Sequence, residues 1–230
     1  MKIDKLFFIV RKMKLAEKIL KRSDALIQLK HLQMAIKKET NRRKEFYKWI
    51  TEEVKAEFVN GEVIVHSPVK KRHWDANTLL SRLLSAYIDL KELGSIGFEK
   101  VMISLTRNDY EPDIVFFSSE KVATFKDDQV LFPAPDFVVE ILSPKTAKHD
   151  RIVKRDDYAM HSIPEYWIID PVKKRVEQYL LPESSTSYFP PKIHQKGEFI
   201  ESEVIKGFKI DVTAIFDKKE NIQALKAFMK

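Results

Sequence analysis

At 230 residues the chain is long enough for one α/β domain of ordinary size plus an extension, and it can bury a core without disulfides or a structural metal. It contains no cysteine, which excludes thiol nucleophiles, disulfide frameworks and thiolate-held zinc or iron–sulfur centres and leaves oxygen or imidazole donors for any metal. The net charge of +7 is uneven: residues 1–44 carry 14 Lys+Arg against 4 Asp+Glu, a balance of +10, and the other 186 carry 27 against 30, a balance of −3.

That asymmetry places the basic character in the N-terminal segment, where it suits either a nucleic-acid backbone or a solvated, lysine-rich helix face. The opening MKIDKLFFIV holds a short apolar run interrupted by Asp4 and Lys5 and has no small-residue cleavage site. No later stretch nears the ~20 apolar residues of a membrane span. The expectation is a soluble, cytoplasmic protein with no membrane partner.

In chain order, residues 5–50 read as one or two amphipathic helices. Leu15, Ile19, Leu20, Leu26, Leu29, Leu32 and Ile36 fall near a 3.6-residue period, and no Gly or Pro occurs before Gly61. The segment AEFVNGEVIVHSP predicts a hairpin around 56–66 turning at Asn60-Gly61. Residues 73–92 place Leu79, Leu80, Leu83, Leu84, Tyr87 and Ile88 at helical spacing and stop before Gly94, the expected C-cap. Strands are predicted over 96–105, 112–117 and 136–142, with a polar connection at 118–134. Phe137–Leu142 is apolar on both faces apart from Glu140, the pattern of a central strand covered by helices. Residues 146–162 read as a charged helix ending before Pro164, followed by strands 165–170 and 175–181 around the turn at Pro171. Farther on, 184–197 reads as a loop, 203–210 as a short strand and 218–229 as a helix. This order implies a mixed sheet with helices packed on it.

Glu140 needs a chemical explanation. An ionised carboxylate within Phe-Val-Val-Glu-Ile-Leu loses most of its hydration, which costs several kcal/mol unless it is paired or bound to a cation. Asp113 starts another apolar strand in Glu-Pro-Asp-Ile-Val-Phe-Phe, so adjacent strands would bring both acids to one end of a sheet. Two hard oxygen donors suit Mg²⁺ or Mn²⁺. The structural alternatives are a buried salt bridge for Glu140 and a solvent-facing strand end for Asp113. Asp150, Lys154 and Tyr158 recur every four residues, which at ~100° per residue is one helical stripe. Because that helix follows the Glu140 strand, Lys154 can pair with Glu140, a phosphate or an attacking water, with Asp150 and Tyr158 orienting it. The alternative is a solvated Asp–Lys pair worth only ~0.3–0.5 kcal/mol.

NGEVIVHSP, His73, EPDIVFF, APDFVVEILSP, the Asp150/Lys154/Tyr158 ladder and PEYWIIDP, in that order, resemble the Uma-type family of restriction endonucleases within the PD-(D/E)XK nuclease superfamily. The resemblance runs from about residue 46 to about 215. It implies an α/β (α+β) core, a restriction-endonuclease-like mixed sheet flanked by helices over 46–217, preceded by a basic helical extension at 1–45 and followed by a C-terminal helix at 218–230. It also implies Asp113 as the PD aspartate, Glu140 as the glutamate of the E-X-K element, the Ile141 carbonyl facing a metal, and Mg²⁺ (Mn²⁺ as substitute) supporting endonucleolytic hydrolysis of DNA. The chain departs from the superfamily pattern at Glu140-Ile141-Leu142, which has no lysine; Lys154 matches the position to which the Uma-type lysine has moved. Glu62 resembles the family's Gly-Glu position, as a third carboxylate or an exposed hairpin residue. His73 is either a phosphate or water contact or a capping or surface histidine.

The partner implied is nucleic acid, DNA first, and cutting both strands would favour a homodimer by analogy. Two other readings stand beside it: a nucleic-acid-binding or regulatory module without turnover on the same fold, and a protein-interaction role for the 5–50 segment. No Gly-rich phosphate loop, nucleophile-elbow serine or zinc-spaced histidine pair occurs.

Overall fold

From Ala25 to Trp49 the chain runs without a glycine or proline, and this stretch forms the longest helix, α1 (Ala25–Trp49). The computed structural model describes residues 16–51 and 53–229, and the chain divides into two compact units, Met1–Val65 and His66–Lys230. In the first unit, of the one or two helices expected over 5–50, the described residues form two. Residues 16–20 are helical, and a turn at 21–24 separates them from α1, with the Arg22 guanidinium donating to the Asp24 carboxylate at 2.8 and 2.9 Å. The part of that expectation falling on residues 1–15 lies outside the described residues. Of the α1 side chains only Phe46 is buried, 5.7 Å from the Phe58 ring, whereas Leu26, Leu29, Leu32 and Ile36 are exposed. The predicted hairpin forms as β1 (Ala56–Val59) against β2 (Glu62–Val65), with Val59 opposite Glu62. Asn60 at φ 51° and Gly61 at φ 83° supply the two positive φ values that a tight two-residue hairpin turn needs.

The second unit opens with α2 (Lys71–Lys91), whose apolar stripe, including Leu80, Leu83, Leu84 and Ile88, is fully buried. Gly94 is not its cap: the helix ends on Glu92 in the left-handed region at φ 51°. Gly94 instead opens β3 (Gly94–Phe98), at φ +149° and so close to the neighbouring strand that a Cβ would overlap the Phe117 carbonyl. The single strand expected over 96–105 is two, β3 and β4 (Met102–Ser104), because the chain turns at Glu99, where φ is 55°. These belong to different sheets. β4 pairs antiparallel with β5 (Asp109–Tyr110) and parallel with β7 (Leu131–Phe132).

The central sheet has six strands. In spatial order they are β11 (Lys192–Gln195), β10 (Arg175–Leu180), β9 (Glu165–Asp170), β8 (Phe137–Ile141), β6 (Ile114–Ser118) and β3. All neighbours are antiparallel except β8 and β9, whose parallel pairing requires a crossover. The crossover is the predicted helix 146–162, realised as α4 (Ala147–His149), a π-helical turn at Asp150–Lys154 and α5 (Arg155–Met160). A short α3 (Ser119–Val122) follows β6. The loop expected over 184–197 contains β11, and the strand expected over 203–210 is mostly the turn of a hairpin between β12 (Phe199–Glu201) and β13 (Lys209–Asp211). A 3₁₀ turn at Val212–Ile215 and α6 (Lys218–Phe228) close the unit.

The two-residue period of the strands sorts their side chains. Ile114, Phe116, Phe137, Val139, Ile141, Trp167 and Ile169 join α2 and the 3₁₀ turn in one core, where Phe137 and Trp167 meet edge-to-face at 5.1 Å. Glu140 therefore lies on the opposite face of β8, and the same alternation assigns Asp113, one residue before β6, to that face. On the same side of the sheet as Glu140, Tyr158 and Tyr166 pack edge-to-face at 5.1 Å.

Candidate active site

Register brings the two acids together. β6 and β8 pair with Ile114 opposite Val139 and Val115 opposite Val138. Continuing by one residue sets Asp113 across from Glu140, a cross-strand pair on one face. The Asp113 carboxylate confirms the proximity by accepting the Ile141 N–H at 2.7 Å through Oδ2. Both acids are buried, at 6% and 5% exposure. Like charges directly opposite one another repel, so the arrangement requires cationic compensation.

Lys154 provides part of it. Its ammonium donates to Glu140 Oε1 at 2.8 Å and stands 3.9 Å from Asp150 Oδ1, and all three side chains are almost wholly withdrawn from solvent. The Tyr158 hydroxyl donates to the same Glu140 oxygen at 2.9 Å. Of the sequence ladder, Lys154 and Tyr158 thus meet on Glu140 and Asp150 stands beside Lys154, although not along a uniform α-helix. Asp150–Lys154 is a π turn, whose wider backbone spacing is common at functional sites. The Tyr166 hydroxyl bonds the Asp150 carbonyl at 3.2 Å, and Arg151 donates to Glu177 at 3.0 and 2.6 Å, tying the turn to β9 and β10.

The surroundings lower the local dielectric. Lys154 Nζ lies 5.5 Å from the centroid of the Tyr110 ring, and Tyr110, Tyr158 and Tyr166 follow one another edge-to-face at 5.4 and 5.1 Å. The Tyr110 hydroxyl donates to Asp157 at 2.8 Å. Burial, with the nearby charges of Glu140 and Asp150, pushes the Tyr166 hydroxyl well above its ordinary range, so it stays protonated. Glu177 is pushed up by burial, but the hydrogen bonds and charge of Arg151, with Arg175, outweigh this and hold it below the usual carboxylate range.

His73, at the start of α2, places Nε2 3.3 Å from Asp113 Oδ1. The approach is electrostatic, since neither ring nitrogen makes a hydrogen bond among the described residues although the side chain is buried. Glu62 belongs to the other unit, where it is exposed on β2. Tyr110, over the lysine, and Tyr166, bonded to the Asp150 carbonyl, have no counterpart in the sequence expectation. Nothing in the spacing of Tyr110, three residues before Asp113, signals a position over Lys154.

Metal fit can be judged on the donors. Among the described residues no three His, Asp or Glu side chains converge as a ready-made ligand set. Two facing carboxylates do match Mg²⁺, which commonly uses one or two carboxylates and keeps several waters. An orphaned buried imidazole also faces the Asp113 carboxylate. The residues fit a hard divalent ion.

Among the described residues, no helix is long and apolar enough to cross a membrane. The search of curated proteins returned no match. The fold is similar to the crystal structure of "a putative nuclease belonging to DUF820 from Anabaena variabilis ATCC 29413", with a TM-score of 0.65 and 17% identity over 79% of this chain and 97% of that one. At that identity the likeness is one of fold. The family described as "Uma2: Putative restriction endonuclease" matches residues 43–213. With a match over most of its length, and a mixed sheet that carries the facing acids, the chain belongs to the Uma2 family of restriction-endonuclease-like proteins.

Proposed function

We propose that the protein is a Mg²⁺-dependent endonuclease that hydrolyses DNA phosphodiesters at the Asp113–Glu140–Lys154 site, with Mn²⁺ as an effective substitute. The observation that carries this reading is the pair of buried carboxylates facing each other across β6 and β8 with a buried lysine on one of them. Asp113, Glu140 and the Ile141 carbonyl would hold the ion. Bound there, Mg²⁺ supplies Lewis-acid neutralisation of charge building on the phosphoryl group and acidifies water.

The chain's own groups do the rest. Lys154 carries a fixed positive charge whose position is set by Glu140, Asp150 and the Tyr110 ring, so it can orient the attacking water or contact a phosphate oxygen. Tyr158, donating to Glu140 Oε1, holds that carboxylate in one rotamer. His73 is the second contact for water or phosphate. Cleavage of both strands of a duplex calls for two copies related by a two-fold axis, hence a homodimer.

The test is cleavage of plasmid, linear duplex, single-stranded DNA and RNA with Mg²⁺, Mn²⁺ or EDTA, comparing wild type with Glu140→Gln. Metal-dependent DNA cutting that vanishes in the variant is expected. Cutting that persists in EDTA or in the variant overturns the assignment. One observation favours a second reading, a nucleic-acid-binding module without turnover: Glu140 Oε1 is already taken by both Lys154 and Tyr158. That module would bind DNA equally with and without Mg²⁺ and leave it intact.

A further inference from the structure

The basic helix α1 supplies none of the residues of the site described above. α1 carries seven Lys+Arg against two Asp+Glu, and no acidic residue lies between Asp24 and Glu39. Lys30, Lys37 and Lys44 recur every seven residues, slipping by only ~20° per step around the helix. Lys48 adds a fourth position to the same stripe, which is ~27 Å long from Lys30 at 1.5 Å per residue. All four are exposed. Lys48 pairs with Glu45 at 2.8 Å, whereas Lys30, Lys37 and Lys44 have no acidic partner among the described residues. A row of like charges with no counter-charge is repulsive in the free protein, and a polyanion lying along it relieves that repulsion.

The pattern distinguishes between polyanions. A helix lying on a lipid surface needs an apolar face as long as its basic one. Here the exposed apolar stripe of Leu29, Leu32 and Ile36 ends at Ile36, its continuation being Thr40, Arg43 and Tyr47, while the lysines run on to Lys48. A linear array of phosphates matches a basic stripe that outlasts the apolar one. Duplex DNA presents one charge per ~1.7 Å of axis, so three lysines spread over ~21 Å can each meet phosphate without bending the helix. Lys30 and Lys37 also precede the family match, which begins at residue 43, so they belong to this chain's own extension.

We propose that the Lys30–Lys37–Lys44 stripe of α1 is a docking surface for the phosphate backbone of nucleic acid. It is independent of the hydrolysis proposed above, because binding is read in EDTA. The experiment is fluorescence anisotropy of a labelled duplex against the full chain and its Lys30→Gln/Lys37→Gln/Lys44→Gln variant over a salt series. Glutamine keeps helix propensity, and circular dichroism verifies that helical content is unchanged. The expected result is a salt dependence shallower by roughly 2.7 in log–log slope, about 0.9 for each phosphate that is no longer neutralised, with at least a tenfold weaker affinity at ~0.1 M salt. An unchanged slope and affinity in the folded variant overturns the proposal. So does a wild type that ignores DNA but binds phosphatidylserine vesicles through the same three lysines.

Discussion

Lys154 Nζ stands 2.8 Å from Glu140 Oε1, and the two side chains are only 3% and 7% exposed. A pair this deep resists loss of either partner, because the survivor is left as a buried, uncompensated charge. Lys154→Met should abolish turnover and also destabilise the protein by about 3–5 kcal/mol in urea unfolding. Mg²⁺ should then raise the variant's thermal midpoint more than that of wild type, since it replaces the missing positive charge beside two facing acids. Equal metal shifts in both proteins would argue against an ion at this place.

Asp113→Asn separates chemistry from folding. The amide oxygen can still accept the Ile141 N–H that Oδ2 accepts at 2.7 Å, so the thermal midpoint should change little. Cleavage should fall by at least a hundredfold at fixed Mg²⁺ as an anionic donor is lost. A variant that cuts at the wild-type rate removes Asp113 from the site.

Acid sensitivity should map in part to Glu177. Its folded-state carboxyl is held below the ordinary range by Arg151 and Arg175 despite burial. A depressed folded value contributes stability that is fully present above the unfolded value of about 4.3 and is lost as pH falls through the folded one. The gap in thermal midpoint between wild type and Glu177→Gln should therefore be widest near neutrality and shrink steadily below about pH 4. A gap independent of pH would show that the ion pairs of Glu177 do not stabilise the fold.

Glu165 is fully buried at the start of β9, and its two oxygens accept from Trp167, Gln178, Ser202 and the Glu203 and Val204 N–H groups at 2.6–3.0 Å. Glu165→Gln would turn an NH₂ group toward donors. The cost should be about 2–3 kcal/mol in urea unfolding. A smaller loss, under about 0.5 kcal/mol, would mean the 202–204 turn repacks freely.

Much of this protein was written in local pattern. The Asn60-Gly61 hairpin, the central strand around Glu140, the strand Glu165–Asp170 and the C-terminal helix follow from turn chemistry and apolar periodicity, which act within a few residues. The acids also announced themselves, because a carboxylate in an otherwise apolar strand has no cheap solvation. Local pattern failed where partners decide. Gly94 looks like a helix cap but is kept small by the Phe117 carbonyl; the apparent strand 96–105 divides between two sheets; and β11 exists because β10 offers it an edge. Only the tertiary structure could set Asp113 opposite Glu140, widen the Asp150–Lys154 turn into a π-helix and lay the lysine over the Tyr110 ring. Register and packing depend on residues dozens of positions apart. Side-chain alternation assigns each residue a face, but it cannot say which strand lies beside it.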